Sequence, residues 1–89
     1  MPAVQRMGDS NDAGGQIDEI NQSTVFANGL LISIDGSLGT DHAGDPRGSW
    51  TTANGIATVT IGGVPVNVEG NQDTCTHVRV GGSPDVNIG

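Results

Sequence analysis

The chain has 89 residues, of which 34% are hydrophobic, with one Phe, one Trp, no Tyr and fifteen Gly. This makes one small domain, 1–89, whose thin apolar core calls for a metal or a partner, because a lone cysteine excludes an intrachain disulfide. Three arginines (Arg6, Arg47, Arg79) against ten acidic residues give a formal charge of −7, which excludes a basic patch for nucleic acid or anionic lipid. No run of about eighteen apolar residues can span a bilayer, and no basic-then-apolar leader opens the chain, so a cytoplasmic start is expected.

In chain order, residues 1–15 contain Gly8-Asp9, Asp12 and Gly14-Gly15 and read as a strand start running into a loop. Residues 16–22 could form a turn of helix at most. Residues 23–36, S-T-V-F-A-N-G-L-L-I-S-I-D-G, read as a β-hairpin. Asn28-Gly29 supplies the positive φ of a tight turn, and Ile32 and Ile34 alternate with Ser33. A loop holding His42 follows. Residues 57–70, A-T-V-T-I-G-G-V-P-V-N-V-E-G, repeat the hairpin at an offset of 34, with Gly62-Gly63 at the turn and Val64, Val66 and Val68 on one face. Pro65 lacks an N–H, so its strand is an edge or is irregular there. A second loop carries Cys75 and His77. Ser83 to Gly89 form a third, cut-off copy. A glycine-rich acidic chain also suits disorder, but the repeat argues for a fold. The fold class is all-β, with short hairpins in a pseudo-threefold arrangement and loops gathered between the copies.

Each loop opens on a glycine: Gly8-Asp9, Gly36-Ser37 and Gly70-Asn71. Both histidines and the only cysteine fall in corresponding loops, so a threefold arrangement would bring them together. A thiolate and two imidazoles are good zinc ligands, and Cys75-X-His77 places both side chains on one face if that segment is extended. Binding energy from such a site would be folding energy. Other readings stay open: Cys75 as an inert buried thiol, or as a nucleophile with His42 as base. The second lacks a neighbouring cation in sequence and a recognisable substrate pocket. The glycine pairs Gly14-Gly15 and Gly81-Gly82 are not phosphate loops, since no Gly-Lys-Ser/Thr and no following helix accompany them.

Gly63-Val64-Pro65-Val66, Gly70, Asp73-Thr74-Cys75-Thr76-His77 and Gly82-Ser83-Pro84-Asp85-Val86-Asn87-Ile88-Gly89 together resemble the PAAR family, and Met1-Pro2-Ala3-Val4 through Gly8-Asp9 and Gly14-Gly15 is similar to that family's N-terminus. The resemblance covers the chain and is strongest over residues 57–89. With no extension after Gly89, it is nearest the short members of T4-like phage tails. It implies a conical all-β tip with a metal near the point, seated one per trimer on a trimeric central spike of phage or VgrG type. Such a tip caps and sharpens the membrane-piercing needle of a contractile tail or type VI-like machine. It is not an enzyme, and it touches the target membrane transiently on injection. Its place would be the virion tail, or the cytoplasm before assembly. An adaptor linking an effector to the spike, or a free metal-binding protein, are the alternatives. The family's three histidines and one cysteine carry over as His42, Cys75 and His77. The first histidine falls at Ala13, so either Asp12 or a water completes the set, or the site is altered or lost. Zinc is the implied ion, with iron second.

Overall fold

Two turns of one kind shape the chain. Asn28-Gly29 has φ of 56° and 78°, and Gly62-Gly63 has 60° and 84°. Positive φ at both central residues marks the two-residue turn whose twist matches paired strands. The computed structural model describes residues 2–88, and among them there is no helix. The strands are β1 (Ile17–Glu19), β2 (Phe26–Ala27), β3 (Leu30–Leu31), β4 (Leu38–Gly39), β5 (Ile56–Ile61) and β6 (Val64–Val66). They pair antiparallel as β1–β4, β2–β3 and β5–β6. The possible helical turn at 16–22 is instead strand β1. The β5–β6 ladder shifts register between Ile56 and Thr60, next to the Thr60–Pro65 pair, as the missing proline N–H leads one to expect.

The third hairpin is built from the two ends of the chain. Ala3 bridges Asn87, Val4 N donates to Val86 O at 3.0 Å, and Ile88 N donates to Pro2 O at 3.0 Å. Residues 83–88 therefore pair with residues 2–4, which stand where β3 and β6 stand in the other copies. Val25 and Val86 take equivalent places: Val25 O accepts from Ile32 N as Val86 O accepts from Val4 N.

After each hairpin the chain runs inward, and the backbone bonds then close a cycle. Gln5 N donates to Asn67 O (3.0 Å), Asn67 N to Ser33 O (3.0 Å) and Ser33 N to Gln5 O (2.9 Å). The next set joins the same three segments with donors running the opposite way round: Met7 N to Leu31 O, Asp35 N to Pro65 O and Glu69 N to Ala3 O. Bridges Arg6–Ile32, Ile34–Val66 and Val68–Val4 repeat it again. Each inward segment thus bonds to the next copy and the third returns to the first, which leaves no unpaired strand edge between them.

Both faces of these segments are inside. Val4, Ala27, Ile32, Ile34 and Val66 form the apolar cluster, with Ile20, Val59, Ile61, Val64 and Ile88 packed against it. The polar residues between them, Gln5, Ser33 and Asn67, are fully buried too. The alternation of Ile32-Ser33-Ile34 and Val66-Asn67-Val68 does not separate core from solvent. It separates an apolar layer from a polar one that is largely paired, although Gln5 Oε1 has no partner while Gln5 Nε2 donates to Val80 O and Gly81 O. Ser33 Oγ donates to Asn67 Oδ1 at 2.7 Å, and Asn67 Nδ2 donates to Asp35 Oδ1 at 2.7 Å. Buried polar groups must be paired in this way, because each orphan costs about 1–3 kcal/mol.

The hairpin turns leave one end of these segments and the loops leave the other. Each loop closes at its root by the same bond: Gly8 N to Ile17 O (2.8 Å), Gly36 N to Thr52 O (2.9 Å) and Gly70 N to Arg79 O (2.9 Å). Ile17, Thr52 and Arg79 are all at most 1% exposed. The large apolar side chains left exposed are Val25, Phe26, Leu30 and Val86 of the hairpin segments, Phe26 by 55%, and Val80 just beyond the root of the third loop.

Candidate metal centre

The loop after Gly36 makes a tight turn at His42-Ala43-Gly44-Asp45, with φ of 44° at Ala43 and 86° at Gly44. His42 and Asp45 exchange both backbone bonds, His42 N to Asp45 O at 3.0 Å and Asp45 N to His42 O at 2.6 Å. Residues paired across an antiparallel turn project to the same face. His42 Nε2 accordingly lies 3.6 Å from Asp45 Oδ2.

The loop after Gly70 turns as well. Gln72 bridges Val78, Asp73 N donates to His77 O at 2.8 Å, and Thr76 N donates to Asp73 O at 2.9 Å. Thr76 has φ of 74°. Residues 75–77 are therefore not extended, which was the condition for their spacing alone to put both side chains on one face. The turn itself brings Cys75 and His77 to one place. Cys75 Sγ lies 3.5 Å from His42 Nε2, and His77 Nε2 lies 3.5 Å from Asp45 Oδ2.

His42, Asp45, Cys75 and His77 thus offer one donor atom each, all within 4.8 Å of one another. Around a tetrahedral ion with nitrogen or oxygen near 2.0–2.2 Å and sulfur near 2.3 Å, donors stand about 3.3–3.8 Å apart. The separations of 3.5, 3.5 and 3.6 Å given above meet that spacing, and a contraction of about 1 Å at the widest pair closes the cage. The group can hold a metal ion. The thiolate and carboxylate would together neutralise a dication.

The surroundings set the orientation of His42. Its ring is buried, meets the Trp50 ring edge-on at a centroid distance of 4.7 Å, and carries Nδ1 3.2 Å from Thr40 O. With Nδ1–H donating to that carbonyl, Nε2 carries the lone pair, which faces the cage and also lies 3.3 Å from Asn11 Nδ2. Gly15 lies against the other side of the imidazole, and a Cβ there would strike His42 Nδ1. The second glycine of Gly14-Gly15 is thus required by close approach, not by a phosphate. Asn11 holds the same loop. Its Oδ1 accepts from Ala13 N and Gly15 N, and its Nδ2 donates to Asp73 Oδ2 at 3.1 Å.

Beneath the cage lies a buried ion pair. Arg79 Nε is 3.3 Å from Asp73 Oδ2, with both side chains fully buried. The pair is close enough for charge attraction but not aligned as a hydrogen bond, so Arg79 Nε and Asp73 Oδ1 lack directed partners. Burial pushes the Asp73 carboxyl up, while Arg79 and the Asn11 amide pull it down. Burial likewise lowers the Arg79 guanidinium against the pull of Asp73. Arg79 also donates to Gly15 O at 2.9 Å and lies over the Trp50 ring at 5.9 Å, tying the first and third loops to the second.

The sequence-based candidates divide as follows. His42, Cys75 and His77 come together. Asp12 is outside the group: it is half-exposed, and its Oδ1 lies 3.3 Å from His77 Nδ1, the ring nitrogen turned away from Asp45. Ala13 contributes only its backbone N–H. The fourth donor, Asp45, was not singled out, although His-Ala-Gly-Asp is a turn sequence that puts a carboxylate three residues from a ligand. An open groove of about 340 Å³, lined by Asp41, His42, Gly44, Asp45 and Pro46, gives an ion access from this side.

No protein-family model matches the chain, and no curated protein sequence matches it either.

Proposed function

We propose that the protein is a non-enzymatic, zinc-pinned tip of PAAR type that seats one copy on the end of a trimeric β-helical spike of a contractile injection machine. The observation carrying this reading is the closed cycle of backbone bonds through Gln5, Ser33 and Asn67. One chain repeats its hydrogen bonding three times around, as a cap for three identical chains must. The principal extents of 30 × 23 × 22 Å, two of them nearly equal, suit a tapered plug. Val25, Phe26, Leu30 and Val86 of the hairpin segments are exposed, as is Val80, and the metal group lies among the loops. An apolar base and an ion-fixed point are what piercing asks of a domain too small for a second core.

Zinc suits a set of one thiolate, two imidazoles and one carboxylate better than a hard cation does, with iron as the alternative. Four protein donors leave no open position for a reacting water, which favours a structural role over a catalytic one.

Native mass spectrometry of the protein mixed with its trimeric spike partner tests the reading. One tip per three spike chains is expected, and replacement of Phe26 by Asp should abolish the complex. Three tips per trimer, or a complex indifferent to Phe26→Asp, would refute the proposed seat.

A further inference from the structure

Asp12 has no place among the four donors, yet its position is fixed from two directions. Its backbone N–H donates to Val78 O at 2.9 Å, and Val78 N donates to Asp12 Oδ1 at 3.3 Å. The neighbouring bridge Asn11–Arg79 holds the first loop along the third. The carboxylate therefore stands beside His77, with Oδ1 3.3 Å from Nδ1, while Nε2 of the same ring faces Asp45 at 3.5 Å. His77 is less enclosed than His42, with 30% of its side chain exposed; its ring meets that of His42 edge-on at a centroid distance of 5.2 Å, and among the described residues no backbone carbonyl holds it as Thr40 O holds His42.

From this geometry we infer that Asp12 is a positioning residue for the metal centre: with Oδ1 3.3 Å from Nδ1 and a small turn of the ring still needed for alignment, it accepts a hydrogen bond from His77 Nδ1–H when the ion is bound, selects the tautomer with the lone pair on Nε2, and aims that nitrogen into the cage. The inference rests on the metal reading above. A carboxylate behind a ligating histidine also makes the imidazole a stronger donor, and removing such a partner commonly costs about 10–100-fold in metal affinity. Asp12 is half-exposed, so the lower end of that range applies. The two histidines are then held by different means, His42 by a backbone carbonyl and packing, His77 by a side chain from another loop. The first loop, which supplies no ligand, still governs the centre through Asp12 and Gly15.

The test uses cobalt(II) absorption to read the ligand set and zinc competition to read affinity, on the full chain and on Asp12→Ala, Asp12→Asn and Asp45→Ala. Asp12→Ala should keep the visible band pattern of the parent, because all four donors remain, while zinc binds about tenfold more weakly. Asp12→Asn retains a carbonyl acceptor and should recover part of that loss. Asp45→Ala should change the bands themselves. Affinity unchanged in Asp12→Ala overturns the inference alone. A band shift in Asp12→Ala matching that of Asp45→Ala also overturns it, by making Asp12 a ligand. Failure of the parent chain to bind either ion overturns the metal reading and this inference with it, and is recognised from the parent sample before any variant is compared.

Discussion

Removing the metal with a strong chelator should lower the melting temperature by about 10–20 °C, which corresponds to a loss of some 3 kcal/mol for a domain of this size. Structural zinc in small peptides is worth about 10–16 kcal/mol in apparent terms at neutral pH. The smaller figure is expected here because much of the fold does not depend on the ion. The apolar cluster around Val4, Ile32, Ile34 and Val66 and the cyclic backbone bonds persist without it. The segments holding the ligands are different in kind. His42 to Asp45 and Asp73 to His77 are tight turns with positive φ at Ala43 and Thr76, conformations that L side chains resist. A metal bond across the two turns offsets that resistance. Amide exchange should therefore quicken around residues 40–46 and 73–78 on chelation, and much less at Ser33 and Asn67. Cys75→Ser should reproduce the chelated state without chelator. An unchanged melting temperature after verified metal removal would separate the cage from stability.

Asp73→Ala should cost about 3–5 kcal/mol, a large part of the stability of so small a domain. The reason is what it strands, not what it removes. Arg79 is fully buried, and Asp73 is the carboxylate paired with it. Without that partner a guanidinium stays in a low-dielectric interior with the carbonyls of Gly15 and Asp9 and the face of Trp50, none of which carries a compensating charge. Asn11 Nδ2 loses its acceptor at the same time. Replacing both partners with apolar residues, Asp73→Leu with Arg79→Met, should recover much of the loss, because neither charge is then left alone. Urea denaturation of the single and double variants measures both effects. A single-variant cost below about 1 kcal/mol would mean that water reaches the pair and screens it.

The sequence carried the hairpins well and the closure poorly. Asn28-Gly29 and Gly62-Gly63 are local turn chemistry, so the two central hairpins could be read directly. The third hairpin joins residues 2–4 to residues 86–88, and no local pattern announces a pairing across the whole chain. Alternation was equally legible at Ile32-Ser33-Ile34, yet its meaning was not. Period two says that two faces differ, not that one of them is wet. Ser33, Asn67 and Gln5 are interior because the segments bond in a cycle, which is a tertiary fact.

The metal residues followed the same division. Soft donors are scarce, one Cys and two His, so Cys75, His42 and His77 stood out by chemistry alone. Carboxylates number ten, and nothing about Asp12 or Asp45 in isolation says which one reaches the cage. The choice falls to Asp45 because a two-residue turn pairs it with His42, whereas Asp12 is paired with Val78 behind His77. Arg79, counted in the sequence only as a charge, became a buried strut through packing on Trp50 and Gly15.

X-ray absorption at the zinc edge of the purified protein tests the proposed metal centre most directly. One zinc per chain is expected, with one sulfur near 2.3 Å and three nitrogen or oxygen neighbours near 2.0–2.1 Å. A sample without stoichiometric zinc or iron, or a metal shell lacking sulfur, would contradict a centre built from His42, Asp45, Cys75 and His77.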